Sequence, residues 1–301
     1  MEKGKKVTIL GAGNVGATIA YTLVLEGLAD EIVLVDIRAD KAAGEALDIF
    51  HAVPFSHNVN IYGGDYIDAA GSDVVIVTAG MNRKPGQTRI ELAGMNVGIM
   101  KEIIPQIVSS APDAVYIIVS NPVDIITYTF CKLSGLRQER IFGSGTMLDT
   151  ARLRAVLGRR TKLPPTGIDA NILGEHGDTM MIPWSQIKGM NFDDNTKNEI
   201  MEEVKTSGAK IIAAKGATYY GVAASVGELC RTVLGGTSSV HTVSRMLNGE
   251  YGISDVCISL PFTVDGNGVH KMQPLNLTDD ETDKIKKSAE ALQNIIKSLE
   301  I

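Results

Sequence analysis

The sequence predicts an α/β protein whose first half is a doubly wound, mainly parallel sheet. Short runs of apolar, β-branched residues are typical of parallel strands that helices cover on both faces. Segments with helical periodicity separate these runs, and such strand–helix alternation favours a doubly wound sheet. The predicted strands are residues 7–10, 32–35, 73–78 and 115–119. The first predicted helix follows the first strand and ends near residue 25. Three further helices are predicted at about 40–50, 90–109 and 123–133.

The pattern changes after residues 141–145, where Ile-Phe-Gly-Ser-Gly ends this alternation. A helix over about 147–157, strands punctuated by glycine and proline, and a helical region over about 195–234 follow. That region is interrupted by Gly208, Gly216, Gly221 and Gly227. Strands at 239–245 and 256–264, a hairpin turn at 265–268 and a last helix with a capping box at Thr278 complete the pattern. We therefore predict two domains, residues 1–143 and a mixed α+β domain of residues 144–301.

Composition and charge narrow the class of protein. The 301-residue chain is 44% hydrophobic and 21% charged, which is ordinary for a soluble globular protein, and its formal net charge is −6. No basic cluster stands out, so nucleic acid and anionic membranes are not expected partners. Cys131, Cys230 and Cys257 form no CxxC pair, which predicts neither a disulfide framework nor a metal site. The charged N-terminus and the lack of a long apolar run predict a cytoplasmic protein.

A glycine motif follows the first strand and opens the first helix. Glycine stands at positions 11, 13 and 16, which allows a tight turn and the close approach of a pyrophosphate to the helix N-terminus. Asp36 ends the second strand, where a carboxylate accepts hydrogen bonds from ribose hydroxyls and repels a 2′-phosphate. The motif thus predicts a Rossmann-type domain that binds NAD, although the nearby Arg38 leaves NADP open. The alternative is a glycine-rich turn that binds nothing.

Gly174-Glu175-His176-Gly177-Asp178 is the stretch that points most directly to catalysis. Nearby glycines remove bulk around the His176 ring, and a carboxylate beside it would leave one ring nitrogen free for proton transfer. Asp149 and Arg152 are three residues apart, so they share a face of their predicted helix. One would orient His176, and the other would bind a substrate carboxylate with two hydrogen bonds. Each residue alone also has a structural explanation, as a buried histidine or a helix-surface ion pair.

Two loops after predicted strands are candidates for substrate binding. Asn121 follows the strand that ends near 119, at the edge where parallel sheets bind ligands, but Asn-Pro is equally a plain turn. Residues 80–89 are polar, cationic and punctuated by glycine and proline, as in a mobile lid or a solvated loop. Tyr128 and Lys132 match the Tyr-x-x-x-Lys pair of short-chain dehydrogenases, but the glycine pattern at 11–16 is not that family's. We therefore assign that pair no role.

Six motifs together resemble the L-lactate/L-malate dehydrogenase family along the whole chain. They are GAGNVG at 11–16, the LVD that ends at Asp36, KPGQTR at 84–89, SNPVD at 120–124, GSGTMLDTAR at 143–152 and GEHGD at 174–178. The resemblance implies that NAD exchanges hydride with a substrate while His176 exchanges a proton. It also implies that Asp149 orients His176, that Arg152 binds the C1 carboxylate of the substrate, and that Arg89 polarises the reacting carbonyl.

The resemblance further implies a set of residues that hold the cofactor. The expected NAD-binding residues are Gly11, Ala12, Gly13, Asn14, Val15, Gly16, Asp36, Asn96, Val119, Ser120 and Asn121. Asn121 would contact both the substrate and the nicotinamide. Members of the family commonly have a cis peptide before the proline that matches Pro122.

Substrate choice in this family depends on the residue just before Lys-Pro-Gly. Glutamine is typical of the lactate enzymes and arginine of the malate enzymes, and this chain has Arg83. A buried guanidinium needs an anion, which the second carboxylate of oxaloacetate supplies. We therefore predict an NAD-dependent malate dehydrogenase of the tricarboxylic acid cycle, with small 2-hydroxy and 2-oxo dicarboxylic acids as partners. Thr218, a lactate-type residue that would also contact the substrate, favours the alternative of an L-lactate dehydrogenase with relaxed specificity. A non-catalytic dinucleotide-binding sensor is the alternative of another class.

Assembly and regulation are implied by the resemblance alone. The family forms dimers and tetramers, and this chain lacks the long N-terminal arm of animal lactate dehydrogenases, so we expect a homotetramer without that arm. Bacterial members activated by fructose 1,6-bisphosphate pair an arginine with a histidine at a subunit interface. Arg154 matches the arginine, but Asp169 stands where the histidine would be. Because an aspartate repels a phosphate, we expect no such activation.

Overall fold

A single nine-stranded sheet runs through the molecule. The computed structural model describes residues 4–82, 86, 88–299 and 301. The strands are β1 (Lys6–Leu10), β2 (Glu31–Val35), β3 (Asn60–Gly63), β4 (Val74–Val77), β5 (Val115–Ile118), β6 (Ile141–Gly143), β7 (Ser239–Asn248), β8 (Ser254–Asp265) and β9 (Gly268–Met272). Their order in the sheet is β3-β2-β1-β4-β5-β6-β7-β8-β9.

The first six strands are parallel and form the predicted doubly wound sheet. β1 lies at the centre, with Val7 opposite Ile32 of β2 on one side and Val74 of β4 on the other. Every residue of β4 and β5 is buried, which explains why these strands read as unbroken apolar runs rather than alternating ones. The carboxyl ends of all six strands share one edge of the sheet, so the loops that follow them meet there.

The last three strands are antiparallel and extend the same sheet. A single residue pair, Gly143 with Ser244, joins β6 to β7. β7 and β8 form a long hairpin, and the turn at Gly266 and Asn267 connects β8 to β9, as the sequence predicts. The division into domains at residue 143 stays a prediction, because the sheet is continuous across that point.

Eight α-helices occur in the described residues. They are α1 (Asn14–Glu26), α2 (Ala39–Phe50), α3 (Arg89–Ser110), α4 (Val123–Leu133), α5 (Met147–Thr161), α6 (Asp194–Lys215), α7 (Tyr220–Gly235) and α8 (Asp279–Ser298). Capping boxes start two of them, Thr88 with Glu91 at α3 and, as predicted, Thr278 with Glu281 at α8. No helix in the described part of the chain is long and apolar enough to cross a membrane.

Two local expectations were wrong, and three strands had no predicted counterpart. Of the four glycines in the region 195–234, only Gly216 interrupts it, because it ends α6 with a φ of +84° that favours glycine. Residues 162–193 contain no strand, only short 3₁₀ turns and two isolated bridges, Leu173 with Met181 and Gly174 with Ser259. Conversely, β3, β6 and β9 have no matching prediction, because these short segments carry little strand pattern.

A second apolar cluster lies beside the main core and joins α5 to α6. Leu153, Val156 and Leu157 of α5 belong to it, together with Ile200 and Val204 of α6. All five side chains are at most 2% exposed. This packing fixes the position of α5, the helix that carries Asp149 and Arg152.

Candidate active site

The glycine motif forms the turn that the sequence predicts between β1 and α1. Gly11 has a φ of +102°, and a Cβ there would lie 2.8 Å from the backbone nitrogen of Ala79. A Cβ on Gly16 would lie 1.9 Å from the carbonyl oxygen of Gly11, so this position accepts only glycine without a rearrangement. Gly13 has open space around it and no side chain caps α1. The first amides of α1 are thus accessible to a pyrophosphate, which fits a dinucleotide.

Asp36 stands directly after β2 and faces this turn. Its carboxylate accepts a hydrogen bond of 2.8 Å from the backbone amide of Ala12 and one of 3.0 Å from that of Arg38. These bonds fix the carboxylate beside the glycine turn, where a ribose would lie next to the pyrophosphate.

Asn96 connects the loops that follow β4 and β5. Its side-chain amide donates to the carbonyl oxygen of Asn121 at 2.6 Å, and its Oδ1 accepts from the amide of Met81 at 2.8 Å. The hydroxyl of Ser120 donates to the carbonyl oxygen of Ala79 at 2.5 Å. The backbone amide of Val119 donates to the carbonyl oxygen of Val77. The Asn121–Pro122 peptide is cis, as the resemblance implies. Asn96 is only 1% exposed, so its buried side chain holds the two loops together from the interior of the protein.

His176, Asp149 and Arg152 form a continuous chain of contacts. The Nδ1 atom of His176 lies 2.5 Å from Oδ2 of Asp149, and Nη1 of Arg152 donates to Oδ1 of the same carboxylate at 2.9 Å. Asp149 is fully buried, while the side chains of His176 and Arg152 keep 26% and 14% exposure. The structure thus brings together the three residues that the sequence associates. The Nε2 atom of His176 is the ring nitrogen left for a proton transfer.

The contact with Asp149 shifts both ionisation equilibria. Burial would lower the pKa of His176, but the charge and hydrogen bond of Asp149, with the charge of Asp124, raise it above its ordinary value. Burial would raise the pKa of Asp149, but His176 and Arg152 hold it below its ordinary value. The pair therefore favours an ionised carboxylate beside a histidine that holds its proton more firmly.

Asp124 holds the backbone of His176 in place, a role that the sequence did not predict. It lies in the first turn of α4, is 3% exposed, and accepts from the His176 backbone amide at 2.8 Å and the Ser244 hydroxyl at 2.5 Å. Burial raises its pKa to about 6, although both hydrogen bonds lower it. The available signal was a carboxylate within the apolar stretch VDIITYTF. Such a buried carboxylate needs partners.

Arg89 is the first residue of α3 rather than a loop residue. Its guanidinium makes two contacts with the carboxylate of Asp178. Nη2 lies 2.8 Å from Oδ1, and Nη1 lies 2.8 Å from Oδ2. Asp178 closes the stretch that carries His176, so Arg89 lies at the rim of the same site. Both side chains are well exposed, at 49% and 78%.

Of the two remaining predicted substrate residues, Thr218 and Arg83, only Thr218 is among the residues that the structure describes. Thr218 is half-buried in the connection between α6 and α7. Arg83 lies outside the described residues, as do Lys84, Pro85 and Gln87, so the predicted lid has no described geometry over that stretch.

Tyr128 and Lys132 lie away from these residues, towards the far end of α4. The Tyr128 hydroxyl donates to Asp255 at 3.3 Å, and Lys132 Nζ is 2.6 Å from the same carboxylate. Burial raises the pKa of Tyr128, which opposes a role as a proton donor and acceptor near neutral pH. Both side chains are therefore held by Asp255 rather than by the residues around His176.

Two family models together match almost the whole chain. The model described as "lactate/malate dehydrogenase, NAD binding domain" matches residues 5–143. The model described as "lactate/malate dehydrogenase, alpha/beta C-terminal domain" matches residues 146–300. The first match supports NAD as the cofactor of the glycine turn.

Several proteins similar to this chain are lactate dehydrogenases. The chain is 45% identical to an L-lactate dehydrogenase of Thermoanaerobacterium saccharolyticum, over 98% of the chain and 99% of that protein. It is 46% identical to an L-lactate dehydrogenase of Acetivibrio thermocellus, over 99% and 98%. Among solved structures, the minor L-lactate dehydrogenase of Enterococcus mundtii superposes with a TM-score of 0.94 at 36% identity, covering 98% of both chains. A lactate dehydrogenase from a Medee basin deep-sea metagenome library gives 0.95 at 34% identity, covering 99% of this chain and 100% of that one.

These relatives overturn the prediction of a malate dehydrogenase of the tricarboxylic acid cycle. That prediction depended on one residue, Arg83, whereas the similarity to lactate dehydrogenases extends over at least 98% of the chain. The physical reason for the error is that a guanidinium selects a dicarboxylate only where the folded loop holds it against the substrate. Residue type at one loop position does not establish that geometry.

Proposed function

The chain belongs to the lactate/malate dehydrogenase family, and from that membership we propose that it is an NAD-dependent L-lactate dehydrogenase with relaxed specificity. The reaction is the reversible oxidation of L-lactate to pyruvate. The observation that supports it most is the contact of His176 with a buried, ionised Asp149, beside an Arg152 that the same carboxylate holds. A non-catalytic dinucleotide sensor has no use for these three side chains in one arrangement.

His176 moves the proton in the proposed mechanism. When bound, NAD supplies the hydride acceptor for oxidation and NADH the donor for reduction. In oxidation, neutral His176 takes the hydroxyl proton of lactate on Nε2, while the Nδ1 contact with Asp149 stabilises the imidazolium that results. In reduction, the protonated ring returns that proton to the oxygen of pyruvate. Asp149 also restricts the ring to one orientation, because its other oxygen is held by Arg152.

Arg152, Arg89 and Asn121 are the proposed substrate-binding groups. Arg152 binds the C1 carboxylate, because a guanidinium donates two parallel hydrogen bonds to a carboxylate. Arg89 polarises the reacting carbonyl, which requires it to exchange Asp178 for the substrate. Asn121 lies at the carboxyl edge of the sheet, where it would contact substrate and nicotinamide.

The relaxed specificity concerns the group attached to C2 of the substrate. Thr218 suits a methyl group, and a guanidinium such as that of Arg83 is the kind of group that binds a second carboxylate. We therefore expect pyruvate to be the preferred oxo acid, with measurable reduction of oxaloacetate. A homo-oligomer and the division into an NAD-binding domain (1–143) and a substrate domain (144–301) belong to the same proposal.

The decisive experiment measures NADH oxidation by the purified protein with pyruvate and with oxaloacetate. The proposal predicts a higher kcat/KM for pyruvate and formation of the L isomer of lactate. A higher kcat/KM for oxaloacetate would overturn the lactate assignment. NADH binding without turnover of either acid would support the sensor instead.

A further inference from the structure

Gly208 lies on the apolar face of α6, at a position where the helical spacing predicts an apolar side chain. Ile200 and Val204 lie four residues apart and face α5, and both are fully buried. Position 208 continues this spacing, so it lies on the same face. Glycine in the interior of a helix is less favourable than alanine, because it loses more backbone freedom on folding. Its presence here therefore needs a local reason.

The guanidinium of Arg152 occupies the space that a side chain at position 208 would take. A Cβ built on Gly208 would lie 3.3 Å from Nη2, 3.7 Å from Nη1 and 3.8 Å from Cζ of Arg152. Apart from the adjoining residues and the backbone of α6 itself, no atom lies nearer to that Cβ. The contact at 3.3 Å is closer than a side-chain carbon usually approaches, so an alanine would push the guanidinium by a few tenths of an ångström.

Arg152 has little freedom to move away while keeping its other contact. Its Nη1 atom is bonded at 2.9 Å to Asp149, which is itself bonded to His176, and its side chain is only 14% exposed. A carboxylate held by two parallel hydrogen bonds tolerates little displacement of the guanidinium plane.

We propose that Gly208 is a positioning residue, whose missing side chain makes the slot for the Arg152 guanidinium and so sets the affinity for the substrate carboxylate. The role rests on the proposed function, because it assumes that Arg152 binds the C1 carboxylate. It concerns a group that every 2-oxo acid carries, so it does not depend on whether pyruvate is the preferred one.

The test compares Gly208→Ala and Gly208→Val with Gly98→Ala, measured as KM for pyruvate, kcat, Kd for NADH and Tm. Gly98 is a matched control, since it is also an interior helix glycine, but beyond the adjoining residues and the backbone of α3 no atom lies within 4 Å of its Cβ. We expect KM to rise about tenfold for alanine and about a hundredfold for valine at position 208. We expect kcat to change less than about threefold and Kd for NADH to stay constant, because the proton carrier and the cofactor turn are untouched. Gly98→Ala should leave KM unchanged.

A double-mutant cycle separates positioning from general damage. In an Arg152→Ala background, Gly208→Ala should have no further effect on the Ki of oxamate, a non-reacting carboxylate, measured by competition with the residual activity or by fluorescence titration of the NADH complex. An unchanged KM in Gly208→Val, or an equal effect of Gly208→Ala with and without Arg152, would overturn the role. Wild-type protein that reduces no 2-oxo acid would overturn the proposed function instead, and oxamate binding would still test Gly208.

Discussion

At the scale of single residues, the contact between His176 and Asp149 gives the proposed reaction a pH dependence. In the proposed mechanism, reduction of pyruvate requires protonated His176, and oxidation of lactate requires the neutral ring. Asp149 raises the pKa of His176, so the protonated form persists to a higher pH than for a free histidine. We expect kcat/KM for pyruvate to fall as pH rises through this raised pKa, whereas kcat/KM for lactate rises over the same range.

Replacing Asp149 with asparagine should move that pH dependence towards acid. The substitution keeps the shape of the side chain but removes the charge that raises the pKa of His176, so reduction should decline at a lower pH than in the wild type. Turnover should also fall by about tenfold to a thousandfold, because the imidazolium loses its partner. The measurement is kcat/KM for pyruvate between pH 5 and 9.

Asp178→Asn is the control for that measurement. Asp178 pairs with Arg89 and is 78% exposed, and it is not among the groups that shift the pKa of His176. Its pH profile should keep the wild-type midpoint even if KM changes. A shift of equal size in both variants would show that the field of Asp149 is not what sets the profile.

Replacing His176 with asparagine should separate chemistry from cofactor binding. The glycine turn and Asp36 are formed by the first strands and helices, so Kd for NADH should remain within about twofold. Turnover should fall roughly a hundredfold to ten-thousandfold, since the proton carrier is absent. Near-normal turnover in the purified variant would remove His176 from the mechanism.

The limits of prediction are clearest at the residue scale. The grouping of His176, Asp149 and Arg152 was predictable, because helical spacing and three residue types suffice to suggest it. Asp124 and Gly208 were not, since their importance comes from packing between α4 or α6 and elements distant along the chain. The partner of Arg89 was missed for the same reason, as an exposed ion pair leaves no pattern in the sequence.

At the scale of helices, the capping box of α3 holds the start of the helix that presents Arg89. Thr88 Oγ1 accepts from the Glu91 amide at 3.2 Å, and Glu91 Oε2 accepts from the Thr88 amide at 2.8 Å. Thr88→Ala should lower the free energy of unfolding by about 1 kcal/mol. Because the first turn would then fray, KM for pyruvate should rise several-fold. Chemical denaturation and steady-state kinetics measure the two effects.

Thr278→Ala provides the comparison, because α8 starts with the same pair of residue types. Thr278 Oγ1 accepts from the Glu281 amide at 3.2 Å, and Glu281 Oε2 accepts in return at 3.1 Å. This variant should lose a similar amount of stability while KM stays constant. If both substitutions raise KM equally, general destabilisation rather than the placement of Arg89 accounts for the effect.

Elements were predictable where one periodicity prevailed. Buried strands such as β4 and long helices such as α3 follow directly from their apolar runs. The segment 162–193 was mistaken for strands because glycine and proline mark loops as well as strand ends. Gly208 and Gly227 were mistaken for breaks because each lies in a helix for a packing reason, against Arg152 and Thr22 respectively.

At the scale of the whole molecule, the surroundings of Arg154 argue against activation by fructose 1,6-bisphosphate. Its guanidinium donates to the Ala170 carbonyl at 3.0 Å and to Asn171 Oδ1 at 3.2 Å, and the exposed Asp169 adds a negative charge nearby. We expect neither activation of pyruvate reduction nor a rise in Tm with millimolar effector. A ligand of the folded state at a hundredfold excess over its Kd would stabilise it by about 2.7 kcal/mol, so a clear rise in Tm would reveal a site.

The overall architecture was predictable only in its first half. Strand–helix alternation and the glycine turn lead to the parallel sheet, because right-handed crossovers leave few other arrangements. The joining of β7 to β6 was not predictable, since one residue pair carries it and Gly143 and Ser244 show no matching pattern.

That single joint between β6 and β7 has a consequence for the order of assembly during folding. The six parallel strands all come from the first 143 residues, so they contain their own pairing partners. β7 pairs with β6 only when the chain closes a loop of about a hundred residues between them. Such a long-range pairing forms late and slowly during folding. His176 lies in that stretch, and its backbone amide donates to Asp124, whose carboxylate also accepts from the hydroxyl of Ser244 in β7. A newly made chain would therefore form the glycine turn between β1 and α1 first and the contacts that hold His176 last, so the proposed chemistry would begin only after β7 has paired with β6.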